Sequence, residues 1–236
     1  MTNDDDVGPI DSRTWPRELD ARAVAAGAEH RLFGYDVERD LAAFYRFSDL
    51  IFLALVGELP DEARSRAFEV ALCFAMPVSV ADAGVHAPLL ARLCGARPSG
   101  VLSVAGLVLA EQTTALLSKV SAALAERDIG QPNSLPAELR ATNEAERRSV
   151  VALASLLKGV IEVPVLADDP NREIALISVL RACGVTQDFQ LASLLALARM
   201  PSALAEATRV RPGDFGTYPI DTPHFVYVAP AGKEGL

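Results

Sequence analysis

The sequence has little positive charge, few histidines and no spacing typical of a metal site. Lysine and arginine number 22 against 31 aspartates and glutamates, so the net charge is −9 at pH 7. Nucleic acid and anionic membrane surfaces both select for a basic face, so this balance argues against either partner. Among three histidines and three cysteines there is no CxxC or HxxxH pattern, and we therefore expect no metal.

Segments that direct a chain to a membrane are also lacking. The first residues, MTNDDDVGP, are acidic where the basic region of a signal peptide belongs. We find no apolar run of the ~20 residues that a transmembrane helix needs. Cys73, Cys94 and Cys183 lie in apolar settings and are odd in number, which predicts buried free thiols in a cytoplasmic protein.

Apolar residues and helix formers are plentiful. Half of the 236 residues are hydrophobic, which is enough for a substantial core. Alanine and leucine are abundant and breakers are sparse, so we predict an all-α protein. The segment 101–127 is apolar nearly all round up to Leu117, which predicts burial in a core or at a subunit interface. The predicted helices cover residues 38–46, 49–56, 61–75, 87–95, 101–127, 144–160, 172–183 and 188–209.

Local signals define the first of these helices and leave the N-terminal region open. Ser48 is a good N-cap for the apolar run that follows it, and Gly57 supplies a left-handed stop. Pro60 then suits the first turn of the next helix. Residues 17–30 are rich in alanine and form either a helix or a loosely packed segment.

Short motifs spread along the chain have an order and spacing of their own. They are GYD and GELP at residues 34–36 and 57–60, Ala81-Asp82-Ala83-Gly84, Ala91-Arg92, Ala105-Gly106-Leu107, Pro170-Asn171-Arg172-Glu173, Ala175, Gly184, Ala198-Arg199-Met200-Pro201, and Thr222-Pro223 with Tyr227. Together they resemble the citrate synthase family, in particular its short members similar to citryl-CoA lyase. The resemblance covers about residues 31–117 and 168–230.

The resemblance implies an all-α, citrate-synthase-like large domain, a reduced small domain and a homodimer. On this basis we predict an N-terminal arm and first helix at 1–30. The first part of the large domain, with the interface helix, takes 31–127. A reduced small-domain segment takes 128–170, and C-terminal helices and a tail take 171–236.

The chemistry of the family needs groups that this sequence mostly lacks. In that family a carboxylate moves a proton at the carbon next to a thioester, while histidines and arginines stabilise the enolate and hold carboxylates. The Gly-His…Asp-Pro-Arg segment has no counterpart here. Other residues stand at the positions of the family's functional groups: Thr114-Ala115-Leu116 for His-Gly-Gly, Ala83 for a histidine, Glu206 for a histidine, Thr222 for an arginine and Glu173 for the aspartate.

Glu173 is the candidate catalytic residue, because it retains a carboxylate at the position of the family's base. The alternative is that Glu173 only stabilises the first turn of a helix, where a negative charge is favourable. His86, Arg92, Arg199 and His224 are the candidate substrate-binding residues. Each has a structural alternative: solvated or structural histidines, and arginines paired with acids such as Asp82 or Glu206.

Two functions follow from these observations. In the first, the protein is a divergent C–C bond lyase or synthase that acts on a small carboxylic acid or its CoA thioester, without classical citrate synthase activity. It would need no resident cofactor, because the CoA thioester is a substrate. In the second, the protein is a non-catalytic ligand-binding or regulatory dimer, or a partner subunit of an active paralogue.

Overall fold

The computed structural model describes residues 20–27, 29–125 and 135–217. The described ranges are mostly helical, so the all-α prediction is confirmed. The last α-helix, Asp188–Arg209, has its predicted bounds. The α-helices are α1 (Ala42–Phe44), α2 (Phe47–Val56), α3 (Glu62–Ala75), α4 (Ala83–Leu93), α5 (Pro98–Ala125), α6 (Glu144–Leu157), α7 (Arg172–Ala182) and α8 (Asp188–Arg209).

A small antiparallel sheet lies at the start of the described chain, where the sequence suggested a helix or a loosely packed segment. Its strands are β1 (Val24–Ala26), β2 (His30–Leu32) and β3 (Tyr35–Asp36), in that order. Phe33 and Gly34 connect β2 to β3 with φ angles of 48° and 85°. Two successive residues in the left-handed region are typical of a tight hairpin turn, and this turn sets the pairing of β2 with β3.

The start of α2 differs from the prediction. The backbone N–H of Arg46 donates to Asp49 Oδ2 at 2.9 Å, so Asp49 stabilises this end of the helix. Asp49 is only 5% exposed and also accepts from Ser65 Oγ at 2.5 Å. Ser48 therefore lies inside the helix and is not its N-cap. Gly57 ends α2 at φ 92°, as predicted.

The chain divides into two compact units. Unit 1 combines the chain up to Phe74 with residues Val120–Leu191, and unit 2 combines Ala75–Lys119 with the chain from Ala192. The core of unit 1 includes Phe52 and Phe68, whose rings meet edge to face at 5.1 Å. The core of unit 2 includes Val85, Ala105 and Ala203. Two of the three boundaries fall inside α5 and α8, so both long helices belong to both units.

Helix α5 is the most apolar long helix in the described ranges. Its segment Pro98–Ala122 is long and apolar enough to cross a membrane, so the expectation that no such segment exists is wrong by that criterion. The core helix of a soluble protein passes the same test, and one such helix is weak evidence for a membrane. Of its most apolar window, 28% is buried within this single chain. Leu107 is 66% exposed, so α5 keeps an apolar surface that this chain does not cover.

The three cysteines do not share one environment. Cys183 is buried, as predicted, whereas Cys73 and Cys94 are exposed, so the prediction of buried thiols is wrong for these two. Cys73 lies on the solvent side of α3, and Cys94 is the residue at which α4 ends. An apolar neighbourhood in sequence does not fix the face of a helix on which a side chain lies.

Candidate functional site

Helix α4 begins with the Ala81-Asp82-Ala83-Gly84 motif, and two of these residues have clear structural roles. Asp82 is the N-cap, and its Oδ1 accepts from the backbone N–H of Gly84 at 2.9 Å. A Cβ at Gly84 would lie 2.4 Å from Leu109 Cδ2 and 2.6 Å from Gln112 Oε1. The absence of a side chain at Gly84 therefore lets α4 approach α5 closely.

Two of the candidate substrate-binding residues adjoin the core of unit 2. Val85 of α4, Ala105 of α5 and Ala203 of α8 pack together, and Met200 covers them. His86 follows Val85, and Arg199 precedes Met200, so the same three-helix contact fixes the backbone at both residues. Both side chains are partly buried, and each makes a polar or electrostatic interaction of its own.

Arg92 occupies the last turn of α4, six residues beyond His86 and therefore about 9 Å further along the helix axis. Its side chain is partly buried. Among the described residues it forms no ion pair, so the alternative that Asp82 or Glu206 neutralises it has no support in the described ranges. Arg92 is thus a candidate for binding an anionic group.

Helix α7 begins with the Pro170-Asn171-Arg172-Glu173 motif, which polar contacts hold in place. Asn171 is the N-cap, and its Oδ1 accepts from the backbone N–H of Ile174 at 2.9 Å. The backbone N–H of Arg172 donates to Glu146 Oε1 at 3.1 Å, and its guanidinium donates to the carbonyl of Phe74. This motif, like the one on α4, has a structural function that does not depend on catalysis.

Glu173 lies in the first turn of α7, one residue beyond the helix start, and is partly buried. It makes a polar or electrostatic interaction within the described chain. This placement suits both predicted roles, the proton-transferring carboxylate and the favourable charge at a helix N-terminus. Glu173 belongs to unit 1, whereas His86, Arg92 and Arg199 belong to unit 2. His224 lies outside the described residues.

The position of the family's His-Gly-Gly lies within a regular helix. Thr114, Ala115 and Leu116 belong to α5, which continues without interruption to Ala125. Thr114 and Ala115 are exposed, and the carbonyl of Thr114 accepts from Ser118 Oγ at 3.0 Å. No backbone N–H is released here for a ligand, because the helix uses its own hydrogen bonds throughout this stretch.

Residues that the sequence analysis did not single out line a cavity within unit 1. Its volume is about 300 Å³, and its polar lining consists of Glu162, Ser178 and Arg181. The motif comparison missed them because they belong to none of the motifs. The signal available in the sequence was a polar end on one face of α7, where Ser178 and Arg181 follow Ile174 and Ile177 at helical spacing. In the described ranges, no group of three or more potential metal ligands occurs.

Similarity to known proteins is found in structure and not in sequence. No family model and no curated protein matches the sequence. The structure is similar to that of the citryl-CoA lyase from Hydrogenobacter thermophilus, with a TM-score of 0.58 and 16% sequence identity. The match covers 91% of this chain and 98% of the lyase chain. At this identity the similarity shows the fold alone, and the chain therefore has a citrate-synthase-like, all-α fold.

Proposed function

We propose that the protein is a divergent homologue of citrate synthases and citryl-CoA lyases. It makes or breaks a C–C bond in a small carboxylic acid or its CoA thioester, and it is not a classical citrate synthase. One observation carries the proposal: the match covers 98% of a chain described as a citryl-CoA lyase. The two chains are therefore similar in length, and the short segment between α5 and α7 is compatible with a lyase of that length.

In this proposal Glu173 transfers the proton at the carbon next to the thioester. In the cleavage direction Glu173 accepts the proton of the hydroxyl group of a hydroxyacyl-CoA, and the C–O bond becomes a carbonyl as the C–C bond breaks. The electron pair of that C–C bond passes into the thioester enolate, and Glu173 returns the same proton to the carbon next to the thioester.

Substrate carboxylates are assigned to the candidate binding residues, His86, Arg92, Arg199 and His224. Arg92 has the clearest support, because it is partly buried and forms no ion pair among the described residues. An arginine offers a planar pair of donors that matches a carboxylate. The reaction needs no resident cofactor, and the expected compartment is the cytoplasm.

The decisive experiment compares two carboxylate variants in a thioester cleavage assay that uses citryl-CoA and related hydroxyacyl-CoA substrates. Glu173→Gln should lower turnover about 100-fold or more, the range expected for a general acid–base residue. Glu144→Gln is the matched control, because Glu144 is also a first-turn carboxylate, at the start of α6, but its side chain is exposed. It should retain full turnover. A Glu173→Gln protein with unchanged turnover would remove Glu173 from the mechanism.

The second candidate function is a non-catalytic, ligand-binding or regulatory protein, or a partner subunit of an active paralogue. The regular helix at Thr114 to Leu116 favours it, because the histidine and glycines used by the family are absent there. Thermal unfolding in the presence of CoA, acetyl-CoA, oxaloacetate or citrate tests this candidate. A ligand at a hundred times its dissociation constant stabilises the fold by ~2.7 kcal/mol. Stabilisation without turnover would favour this second function.

We also propose a homodimer for the lyase and for the ligand-binding or regulatory form, whereas the partner-subunit form would pair with a paralogue. Leu102 and Leu107 of α5 and Leu197 of α8 are 46%, 66% and 50% exposed. These side chains belong to unit 2, and a second copy of the chain would cover them. We expect sedimentation to give a dimer and Leu107→Glu to give a monomer with intact helix content. A wild-type monomer that associates only with a paralogue would favour the heteromeric alternative.

A further inference from the structure

The cavity within unit 1 has one apolar end and one polar end. Its apolar lining comes from the C-terminal part of α5, the segment before α6, the loop before α7 and α7 itself. Among the described residues these side chains include Val120, Leu135, Val163, Ile174 and Ile177. Four of the five belong to the core, being 2–4% exposed. A volume of about 300 Å³ is at the lower end of the range for small-molecule sites.

The two ends are separated because one face of α7 is apolar in the first half of the helix and polar in the second half. Ile174, Ile177, Ser178 and Arg181 follow the spacing of three, four and seven residues that brings side chains onto one side of a helix. Ile174 lies in the first turn and Arg181 in the last, about 10 Å further along the axis. The other faces of α7 are occupied by core residues such as Leu176 and Leu180.

Among the described residues, the side chain of Arg181 makes no hydrogen bond and has one ion-pair partner, Asp188. The Oδ1 atom of Asp188 lies 3.7 Å from Nη2, beyond hydrogen-bond distance. The Arg181 side chain is 38% exposed and the Asp188 side chain 62%, so water weakens this ion pair further. A positive charge in the last turn is favourable to the helix, but this effect does not require a cavity beside it.

Glu162 and Arg181 line the same cavity but are not paired with each other. No contact within 4.0 Å joins them among the ion pairs of the described residues. Ser178 lies between Ile174 and Arg181 on α7 and supplies a hydroxyl to the same lining. A cavity with an apolar floor and separate donor and acceptor groups is the usual composition of a small-molecule site.

We propose that this cavity binds a small carboxylic acid that has a short hydrocarbon tail. The carboxylate accepts hydrogen bonds from Arg181 and Ser178, and the tail packs against Val120, Ile174 and Ile177. A free monocarboxylate and an apolar α-amino acid share this chemistry, and they differ in an ammonium group that Glu162 would bind. The site is separate from the proposed C–C lyase chemistry, because it contains none of the residues assigned to that reaction.

Calorimetric titration of the purified full chain tests the proposal with three probes. Hexanoate carries the carboxylate and a short tail, leucine adds the ammonium group, and hexylamine carries a similar tail with a positive charge. Hexanoate or leucine should bind saturably with one site per chain, and hexylamine should not bind. Failure of both carboxylates to bind would overturn the proposal. Tighter binding of leucine, lost in Glu162→Gln, would identify an amino acid as the ligand.

Two substitutions connect such binding to the cavity. Arg181→Gln should weaken binding about tenfold or more, because it removes the charged donors. Arg148→Gln is the matched control: Arg148 is an exposed arginine of α6 in the same unit, and its replacement should leave the affinity unchanged. Ser178→Leu fills the cavity from the same face of α7 and should abolish binding. Unchanged binding in both Arg181→Gln and Ser178→Leu would overturn the proposal.

If Arg181→Gln does not fold, Arg181→Lys gives the same information. Lysine retains the charge beside Asp188 but lacks the planar pair of donors, so the affinity for hexanoate should fall while the protein remains folded. Full affinity in a folded Arg181→Lys protein, together with unchanged binding in Ser178→Leu, would exclude this cavity as the site. Turnover in the thioester assay is measured on the same variants and should not change, which separates this proposal from the lyase proposal.

Discussion

The starts of α4 and α7 make an informative comparison, because each carries a signature motif and each lies in a different unit. Both helices begin with an acidic or amide N-cap, Asp82 for α4 and Asn171 for α7, and both caps accept a backbone hydrogen bond at 2.9 Å. Beyond the cap they differ. Close packing at Gly84 determines the position of α4, whereas a polar network around Arg172 determines that of α7.

The polar network at α7 has several members within unit 1. Glu146 accepts from the backbone N–H and hydroxyl of Thr142 and from the backbone N–H of Arg172. Asn171 donates its backbone N–H to the carbonyl of Leu139 at 2.8 Å. The comparison teaches that motif residues at helix starts can serve two different structural functions, sterics in one helix and hydrogen bonding in the other.

The largest expected effect concerns the close packing at the start of α4. Gly84→Ala places a methyl group within 2.4 Å of Leu109 Cδ2, and Leu109 is fully buried. Overpacking of this kind costs about 1–3 kcal/mol, which exceeds the gain of roughly 0.5–1 kcal/mol that alanine offers over glycine in a helix. Urea unfolding followed by circular dichroism should therefore show a lower free energy of unfolding.

Gly106→Ala is the matched control for that substitution. Gly106 is also a helical glycine of unit 2, but a Cβ there would make ordinary contact with Met200 Cε at 3.7 Å. The control should be stabilised or unchanged, because the helix gains propensity without a clash. A Gly84→Ala protein as stable as Gly106→Ala would contradict the steric explanation of the motif.

The next largest effect tests the hydrogen-bonded start of α7. Asn171→Ala removes the side-chain acceptor for the backbone N–H of Ile174 and should lower the free energy of unfolding by about 0.5–2 kcal/mol. Asn171→Asp keeps an acceptor at the cap and adds a favourable charge at the helix N-terminus, so it should preserve stability at neutral pH. Equal losses in the alanine and aspartate variants would mean that the amide group, and not the cap, matters at this position.

Sequence reasoning located the helices well because their signals are local. The residues of α8 and the stop at Gly57 follow from propensity and from the left-handed preference of glycine. The cap of α2 was misjudged because Ser48 and Asp49 compete for one helix end. The Asp49 carboxylate stabilises the helix end because it also accepts a hydrogen bond from Ser65, sixteen residues away. No local pattern contains that contact.

The candidate site was only partly accessible from sequence. Motif matching singled out Glu173 and Arg199 as candidates, and their functional roles stay predictions. The structure adds that the neighbouring motif residues cap and pack helices. The cavity bounded by Glu162 and Arg181 was missed, because its lining comes from segments far apart in the chain. The cysteine prediction was wrong for Cys73 because apolar neighbours in sequence do not show on which face of a helix a side chain lies. Cys73 is exposed although its sequence neighbours are apolar.

A smaller effect comes from the charge of Glu146. Partial burial tends to raise the pKa of its carboxyl, but hydrogen bonds from the backbone N–H groups of Thr142 and Arg172 outweigh it, so the pKa lies below the ordinary value of 4.5. A depressed folded pKa gives stability above pH 4.5 that is lost as the pH falls through the folded value. On going from neutral to acidic pH, Glu146→Gln should therefore lose less free energy of unfolding than wild type. The difference between the two losses should be less than about 1 kcal/mol. Unfolding curves at pH 7 and in steps below pH 4.5 measure this difference, and identical pH dependence in both proteins would remove Glu146 from the network.

The last prediction concerns local opening around Cys183, measured by how fast its thiol reacts. Burial raises the pKa of the Cys183 thiol to about 12, so at pH 8 this residue should resist iodoacetamide while the exposed Cys73 and Cys94 react. Cys183 ends α7, and Asn171→Ala should therefore speed its labelling, about fivefold for each kcal/mol lost. Gly84→Ala should leave Cys183 labelling unchanged if the two units open independently. Mass spectrometry of timed samples distinguishes the outcomes, since equal acceleration in both variants would mean that the steric and the polar helix start belong to one cooperative unfolding unit.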